Sequence, residues 1–338
     1  MLLGLSLVAG CGSAPGPGPA PTPAPEIWLK GQLHAHTSNS SDSQTPPGAA
    51  LQWFARHGFD FVVVTDHNFV TVALGGPVLA IPGVELTQNL DRCHPAPEAG
   101  MACLLHINAL FVDPARAGRF SFPPTPELDR RALYGRAIAA TRELGGLAQL
   151  NHPNFHYSAD GSMLADLTDD GLRLFELANE AVDSNNAGDA THPSTEAMWD
   201  AALARGKPVW GVATDDAHHY DDAASVEQQG EQTYVGDRGF VMVRAAREPA
   251  AIRAAIERGD FYASNGVLLT GLSTTGNTLK VSAAATHEIR FVGASGDLWV
   301  TRASEAAYAL ADTTSHYVRA VVTDANGRKA WTQPLFRR

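Results

Sequence analysis

Seven short apolar runs rich in Val, Ile, Leu and Phe recur along the first two thirds of the chain, with helical patterns between several of them. The runs span residues 28–33, 59–65, 78–84, 103–112, 146–150, 172–177 and 208–213. Strands buried on both faces read as continuous apolar runs, and their alternation with helices predicts an α/β fold with a parallel sheet. Seven repeats favour a closed β/α barrel over an open sheet.

Three segments between these runs carry helix signals. The first, "TPPGAALQWFARHGF" at 45–59, has prolines near its start and Gly58 after its apolar face. The second, "TPELDRRALYGRAIAATRELGG" at 125–146, has acids in its first turn and ends in two glycines. The third, "PSTEAMWDAALARG" at 193–206, places Ser194 and Glu196 close to capping-box positions. Such start and stop signals predict helices in all three segments.

The pattern changes after residue 262, where short alternating stretches are separated by Gly, Asn and Asp turns. This predicts a small antiparallel β domain, resembling a sandwich, over residues 263–338, and a barrel over residues 26–262. His287 and His316 lie in the β domain without acidic partners at ligand spacing. We interpret both histidines as structural or surface residues.

The amino-terminal segment predicts export. A short apolar run ends in Val8-Ala9-Gly10-Cys11, which resembles the lipobox of bacterial lipoproteins. Residues 1–11 would then be a signal with a lipidated Cys11, and the Pro/Gly-rich residues 12–25 a tether. The protein would be lipid-anchored in the cell envelope, facing the periplasm or the cell surface. The alternative is a chance cysteine in a cytosolic tail.

The other two cysteines lie ten positions apart in "DRCHPAPEAGMAC". In an oxidising compartment Cys93 and Cys103 could close a surface loop as a disulfide. A pair of free thiols is the alternative that the sequence leaves open.

The charge balance disfavours one class of partner. The 338 residues carry a formal net charge of −11 and show no basic stripe with interleaved aromatic residues. Because phosphate backbones require clustered Lys and Arg, we do not expect nucleic acid to be a partner. A small anion remains compatible with the charge, since bound cations dominate the field of their own site. We expect a small-molecule substrate, and contact with a membrane only through Cys11.

Histidines and carboxylates fall at or just beyond the ends of the predicted strands. The candidate ligands are His34, His36, Asp42, His67, Glu85, His106, His152, Asp216 and His218. In a barrel of parallel strands such ends meet at one rim. Mixed imidazole and carboxylate ligands without thiolates suit Zn²⁺, Mn²⁺ or Fe²⁺ and argue against a closed structural zinc site. The two oxygens of Glu85 would allow it to bridge two ions.

The motif series HAH, SD, TDH, GVE, H, NHP and DAH resembles that of the PHP (polymerase and histidinol phosphatase) superfamily of metal-dependent hydrolases over residues 29–220. The resemblance implies a distorted seven-stranded β/α barrel that holds two or three divalent ions. It places one ion between His34, His36, Glu85 and Asp216. It places a second between Glu85, His106 and His152, and a third between Asp42, His67 and His218. Its polymerase-linked role in DNA replication is disfavoured by the export signal and the acidic charge.

Two segments near the carboxyl end, "RGDFYASNG" and "YVRAVVTDANGRKAWTQPLF", resemble the CehA/McbA-like branch of this superfamily. We expect phosphoester hydrolysis by a hydroxide that bridges the metals and is held by Glu85 and Asp216. Hydrolysis of a carbamate or carboxylic ester by one or two metals is the alternative, and a non-catalytic surface binding module is the second alternative. Candidates for substrate contact or for support of the ligands are Asn108, Asn151, His156, Asn179, Asp215 and His219.

Overall fold

The computed structural model describes residues 26–73 and 75–337. The predicted signal, the tether and the lipidation site Cys11 lie outside these residues. The strands are β1 (Ile27–Gln32), β2 (Phe61–Val64), β3 (Phe69–Val70), β4 (Leu79–Leu90), β5 (Cys103–Leu110), β6 (Gly118–Arg119), β7 (Leu147–Leu150), β8 (Leu174–Asn179), β9 (Trp210–Thr214), β10 (Phe240–Ala245), β11 (Phe261–Ser264), β12 (Leu269–Thr275), β13 (Thr278–Gly293), β14 (Gly296–Ala309), β15 (Tyr317–Thr323), β16 (Lys329–Thr332) and β17 (Leu335–Phe336). The helices are α1 (Pro47–Arg56), α2 (Arg130–Glu143), α3 (Gly161–Leu167), α4 (Thr195–Ala204), α5 (Ala223–Gln228) and α6 (Pro249–Arg258).

The fold is mixed α/β, with most strands in one large sheet. The path through that sheet runs β12-β13-β15-β16-β11-β10-β1-β2-β4-β5-β7-β8-β9, with β14 on β13 and β17 on β15. The seven predicted strands are all present, as β1, β2, β4, β5, β7, β8 and β9. None of the helices in the described ranges combines the length and the apolar character that a membrane crossing requires.

The prediction of a closed barrel is wrong. In the part of the chain that the structure describes, no ladder joins β9 back to β1, and the sheet stays open. A lone parallel bridge between Ala35 and Ala217 links the segments that follow these two strands. The second edge of β1 is taken by β10, which pairs antiparallel with residues 27–31, so β9 finds no free edge of β1 to join. The strands also do not all run the same way, because β5 is antiparallel to both β4 and β7.

All three predicted helices form, and side-chain caps mark the starts of the second and the third. The second begins only at Arg130, because the side chain of Asp129 accepts a hydrogen bond from Ala132 N at 2.9 Å. In the third, Ser194 Oγ accepts from Ala197 N at 3.2 Å. Such caps satisfy backbone donors that the first helical turn leaves free, so they fix where each helix starts.

Close packing fixes the position of β1, the strand that leads to the first two histidines. A Cβ atom on Gly31 would overlap the ring of Phe61 in β2, so only glycine allows the two strands to approach this closely. Leu29 and Leu33 are fully buried in a cluster shared with α6. The carboxyl end of β1 is therefore held rigidly against the core.

The carboxyl-terminal strands continue the same sheet. They pair antiparallel throughout, and β11 connects them to the rest through β16 on one side and β10 on the other. The predicted boundary between residues 262 and 263 falls inside β11. Arg319 of β15, 1% exposed, makes a two-pronged ion pair with Asp200 of α4, with Nε and Nη2 at 2.8 and 2.7 Å from its oxygens. Whether residues 263–338 behave as a separate domain stays a prediction.

Candidate metal centre

The nine candidate ligands converge at one rim of the sheet, although they come from distant parts of the sequence. The residues that follow β1, β2, β7 and β9 reach this rim from strand ends, as predicted. Glu85 and His106 instead lie within β4 and β5. His106 still reaches the rim because the antiparallel direction of β5 brings its first half there. His106 pairs with Thr87 across the ladder, two residues beyond Glu85 and on the same face of β4.

Side chains of these residues form three groups that could each hold a metal ion. In each group the ligand atoms lie within 4.8 Å of one another. The groups are His34, His36 and Glu85; Glu85, His106 and His152; and His36, Asp42, His67 and His218. Asp216 adjoins the first group, with Oδ1 at 3.2 Å from His34 Nε2 and 3.1 Å from His36 Nε2. The grouping matches the expected one, except that His36 also faces the third group.

Glu85 lies at the centre of the arrangement, and its two carboxylate oxygens face different histidines. Oε1 is 3.0 Å from His106 Nδ1 and 3.5 Å from both His152 Nε2 and His34 Nε2. Oε2 is 3.4 Å from His36 Nε2 and 2.7 Å from His67 Nδ1. Glu85 thus belongs to two of the three groups, and its carboxylate would be the ligand that two ions could share.

The buried polar atoms of the centre and the chemistry of its donors indicate whether these residues suit a metal ion. Three buried atoms of the centre, His34 Nε2, His36 Nε2 and Glu85 Oε2, have charged neighbours at 2.7–3.5 Å but none aligned for a hydrogen bond. Since orphaned polar atoms in a protein interior are costly, three of them facing one space indicate room for a cation. The donor set, imidazole and carboxylate without thiolate, suits a divalent ion such as Zn²⁺, Mn²⁺ or Fe²⁺.

Neighbouring hydroxyl groups contact one ring nitrogen of His36 and one of His67. His36 Nδ1 lies 2.9 Å from Ser40 Oγ, and His67 Nδ1 lies 2.6 Å from Thr87 Oγ1. Metal-binding histidines are commonly oriented in this way by a partner on the second nitrogen, which leaves the first free for the ion.

Glu176, which the sequence patterns did not single out, contacts two of the candidate ligands. It lies within β8 and is fully buried. Its Oε1 is 2.6 Å from His34 Nδ1 and accepts a hydrogen bond from Thr214 Oγ1 at 2.7 Å. Its Oε2 accepts from the backbone N–H of His152 at 2.6 Å. The signal was a lone acid in the apolar run "LFELAN", since an acid buried in a strand is almost always paired.

Two ligands occupy backbone conformations that are uncommon for residues other than glycine. His152 has φ +24° and Asp216 has φ +53°. Such residues persist where surrounding bonds hold them, and they concentrate at functional sites. At His152 the hydrogen bond from its N–H to Glu176 supplies that constraint.

The protein environment shifts the ionisation of the cluster in opposite directions. Burial disfavours a charge on His67, but the Glu85 and Asp42 carboxylates outweigh burial and raise its pKa to about 11. Burial and the neighbouring His218 and His67 lower the pKa of His36 to about 4. For Glu85 burial acts the other way, yet the surrounding histidines lower its pKa well below the usual value. Without metal the centre is thus a network of carboxylates that stabilise some of the imidazoles as cations.

A cavity of about 340 Å³ opens onto the ligands. Apolar side chains on its wall come from Leu104, Phe155 and Ala181. Of the residues that the structure describes, no lysine or arginine lines this cavity. The cavity gives a small molecule access to the candidate metal centre.

The six residues proposed as supporting or substrate-contacting divide by position. Asn179 and His219 line the cavity. Asn151 Nδ2 donates to Glu85 Oε1 at 2.8 Å and so supports a ligand.

The other three lie away from the cavity. Asn108 is fully buried and donates to the Leu33 carbonyl at 3.2 Å. His156 Nδ1 accepts from the backbone of Ala102 at 2.7 Å. Asp215 accepts backbone hydrogen bonds from residues 237–239, and burial raises its pKa to about 7. None of these three side chains lines the cavity, so the structure places none of them where it would contact a substrate there.

Two further predictions concern residues outside the centre. Cys93 and Cys103 are joined by a disulfide with their Cα atoms 5.9 Å apart, which decides between the two states that the sequence left open. His316 Nε2 donates to the Leu203 carbonyl at 2.8 Å, as expected of a structural histidine.

Comparisons with known proteins add little to this geometry. No family model matches the sequence, and no curated protein sequence matches it. A crystal structure from Bacteroides vulgatus, of a two-domain protein described as containing a predicted PHP-like metal-dependent phosphoesterase, aligns over 94% of this chain and 98% of its own. The two share 17% sequence identity, and the TM-score is 0.47. Similarity of this degree establishes neither a shared family nor a shared activity.

Proposed function

We propose that the chain is a metal-dependent hydrolase of the PHP superfamily that cleaves phosphoesters. The observation that carries the proposal is the position of Glu85, whose two oxygens face two different sets of histidines. Centres with a shared carboxylate serve reactions in which both the attacking and the leaving oxygen need stabilisation.

The residues that would hold the ions are those of the three groups, with Asp216 beside the first. Divalent ions there would supply Lewis acidity and lower the pKa of water towards neutrality. The number and identity of the ions belong to the proposal: two or three, as Zn²⁺, Mn²⁺ or Fe²⁺.

The surrounding side chains prepare the centre. Glu176 fixes the ring of His34 and the backbone of His152. Asn151 holds Oε1 of Glu85, and Asn179 Nδ2 lies 3.3 Å from Asp216 Oδ2, so both carboxylates are oriented before a substrate arrives. Preorganised groups of this kind contribute to catalysis because they need not rearrange during the reaction.

Hydrolysis of a carbamate or carboxylic ester is the second candidate. The apolar wall formed by Leu104, Phe155 and Ala181 favours it, because an uncharged ester would bury its apolar part there. The resemblance of the carboxyl-terminal segments to CehA/McbA-like proteins supports the same reading.

The test is hydrolysis by the purified full-length protein, stripped with chelator and reloaded with Zn²⁺ or Mn²⁺. Aryl phosphoesters are offered beside aryl carboxylic esters and aryl carbamates. We expect metal-dependent release from the phosphoesters, lost in Glu85→Ala and retained in Glu231→Ala, which removes an exposed glutamate. Release from carboxylic esters or carbamates alone would favour the second candidate. Metal retention without any turnover would indicate a binding module instead.

We also propose that the protein is exported and lipid-anchored through Cys11. The Cys93–Cys103 disulfide supports this, because disulfides persist mainly in oxidising compartments. Labelling of cells with a fatty-acid analogue should mark the wild type and not Cys11→Ser. Equal labelling of both, or a protein that fractionates with the cytosol, would contradict the proposal.

A further inference from the structure

Apart from the metal ligands, the wall of the cavity carries one acidic side chain, Asp183, in a loop that follows β8. Asp183 is partly buried there. Within the described part of the chain, Asp183 takes part in no ion pair with Lys, Arg or His. A carboxylate held on a cavity wall without a cationic partner leaves its charge available to a bound molecule.

Tyr234 fixes this carboxylate relative to the metal centre. Its hydroxyl donates to Asp183 Oδ2 at 3.0 Å. Its ring centroid lies 5.4 Å from that of the ligand His218, and its backbone N–H donates to His219 Nδ1 at 3.1 Å. Burial, together with Asp183, raises the pKa of Tyr234, so the hydroxyl remains a donor. One aromatic side chain thus spans the distance from a metal ligand to Asp183.

This wall complements a cation and disfavours an anion. A carboxylate beside an aromatic ring is the combination that binds ammonium groups, through charge and through the face of the ring. A second phosphate or a carboxylate on the substrate would meet Asp183 with no lysine or arginine of the described residues to neutralise it. The metal centre would hold the reacting ester group, and this wall would bind the leaving alcohol.

We propose that Asp183 and Tyr234 form a specificity site for an ester whose leaving alcohol carries an ammonium group. This rests on the proposed hydrolase function and names the substrate class for the same cavity. Asp183 is a substrate-binding residue in this proposal, and Tyr234 both positions it and offers its ring to the cation.

The test uses two matched substrates of the ester class that the metal-loaded enzyme cleaves. One is a phenyl ester that carries a trimethylammonium group on a two-carbon spacer from the ring, and the other carries the isosteric, uncharged tert-butyl group on the same spacer, so that the two leaving phenols are similar in acidity. We expect the wild type to favour the cationic ester by about tenfold in kcat/KM, an advantage that falls with added salt. In Asp183→Asn the ratio of the two kcat/KM values should approach one.

Two further variants complete the comparison. Tyr234→Phe keeps the ring but frees the carboxylate, and should give a ratio between those of the wild type and Asp183→Asn. Asp169→Asn removes an exposed carboxylate that pairs with Lys207 outside the cavity, and should keep the wild-type ratio. Metal content and circular dichroism establish that each variant is folded and loaded.

The outcomes separate the two proposals. A wild-type ratio of one or less, or a preference that survives Asp183→Asn, would overturn the specificity site while the hydrolase function stood. Absence of turnover on both esters by the metal-loaded wild type would remove the hydrolase function and this inference with it.

Discussion

The Glu176 carboxylate and the His34 imidazole are both fully buried, with Oε1 at 2.6 Å from Nδ1. The pair fixes the ring so that the opposite nitrogen, Nε2, faces Glu85 and Asp216. Burial alone would lower the pKa of His34, but the Asp216, Glu176 and Glu85 carboxylates raise it well above its usual value. The buried acid therefore sets the orientation of a candidate ligand and, after Asp216, adds to its basicity.

Replacing Glu176 with Gln should weaken metal binding without unfolding the protein. The amide keeps the size of the side chain but removes the charge that orients His34 and holds His152. We expect the affinity for Zn²⁺ to fall about 10- to 100-fold, the usual effect of losing a partner of a metal-binding histidine. Competition with a chromophoric chelator measures this affinity, and Glu231→Gln is the control at an exposed site. Equal affinities would show that Glu176 has a purely structural role.

Removal of metal should lower thermal stability. An ion that binds the folded state alone stabilises it by about 2.7 kcal/mol when its concentration is a hundred times the Kd. The Tm of the full-length protein should therefore fall after chelation and recover when Zn²⁺ or Mn²⁺ is added back. Calorimetry at several metal concentrations measures the shift. A Tm that is independent of metal would contradict a metal centre built from these ligands.

Ionisation of Glu180 should contribute to the pH dependence of the unfolding free energy. Burial raises the pKa of this carboxyl above its usual value, although the amide of Asn265 donates to it at 3.0 Å and partly offsets the effect. For an acid with a raised pKa, its favourable contribution is complete below the unfolded pKa of about 4.3 and is lost as the pH rises through the folded pKa. Glu180→Gln should therefore be more stable than the wild type near pH 7 and gain nothing near pH 4.

Urea denaturation of both proteins from pH 4 to pH 8 measures this difference. The ligands of the centre also titrate in both proteins. The informative quantity is therefore the difference in unfolding free energy between the wild type and the variant at each pH. Glu231→Gln should show no such difference. A wild type that is the more stable protein at pH 7 would show that the ionised carboxylate is favourable in the folded state.

The prediction of a separate β domain can be tested at Arg319. Its ion pair with Asp200 joins β15 to α4, and Lys329 similarly reaches Glu196 of α4 at 2.5 Å. Arg319→Met should cost about 2–3 kcal/mol of unfolding free energy, below the full cost of breaking a buried pair because Asp200 is partly exposed. Arg302→Met, an exposed arginine of β14, is the control. Two separate unfolding transitions, of which only one responds to Arg319→Met, would support independent domains.

Much of the local structure could be predicted because it depends on short sequence patterns, such as apolar runs and the spacing of side chains along a strand. Each of the seven strands appeared where an apolar run lay, and His34 and His36 face the same space, with ring centroids 5.1 Å apart. Strand direction could not be predicted in this way, because an apolar run such as 103–112 has the same composition in either direction. The reversed β5 therefore broke the expected all-parallel order and placed His106 within a strand instead of at its end.

The candidate ligands could be found because histidines and acids stand out beside apolar strands. Their supporting residues were harder to find. Glu176 lies inside an apolar run, and Asp183 and Tyr234 lie in loops whose meeting depends on the tertiary fold. Residues adjacent to ligands in sequence, such as Asp215, were poorer candidates than residues adjacent in space, since Asp215 points into the protein and holds residues 237–239.

The contact between the segments after β1 and β9 has a consequence for how the centre forms. The hydroxyl of Tyr220 donates to the carbonyl of His36 at 2.7 Å across 184 positions of the chain, beside the lone bridge of Ala35 and Ala217. The first two histidines meet Asp216 and His218 only when a loop of this length is closed. Closing so long a loop is entropically unfavourable, and topologies of this kind fold slowly. A bound ion would have ligands from both ends of that loop, and so would stabilise its closure on an otherwise open sheet.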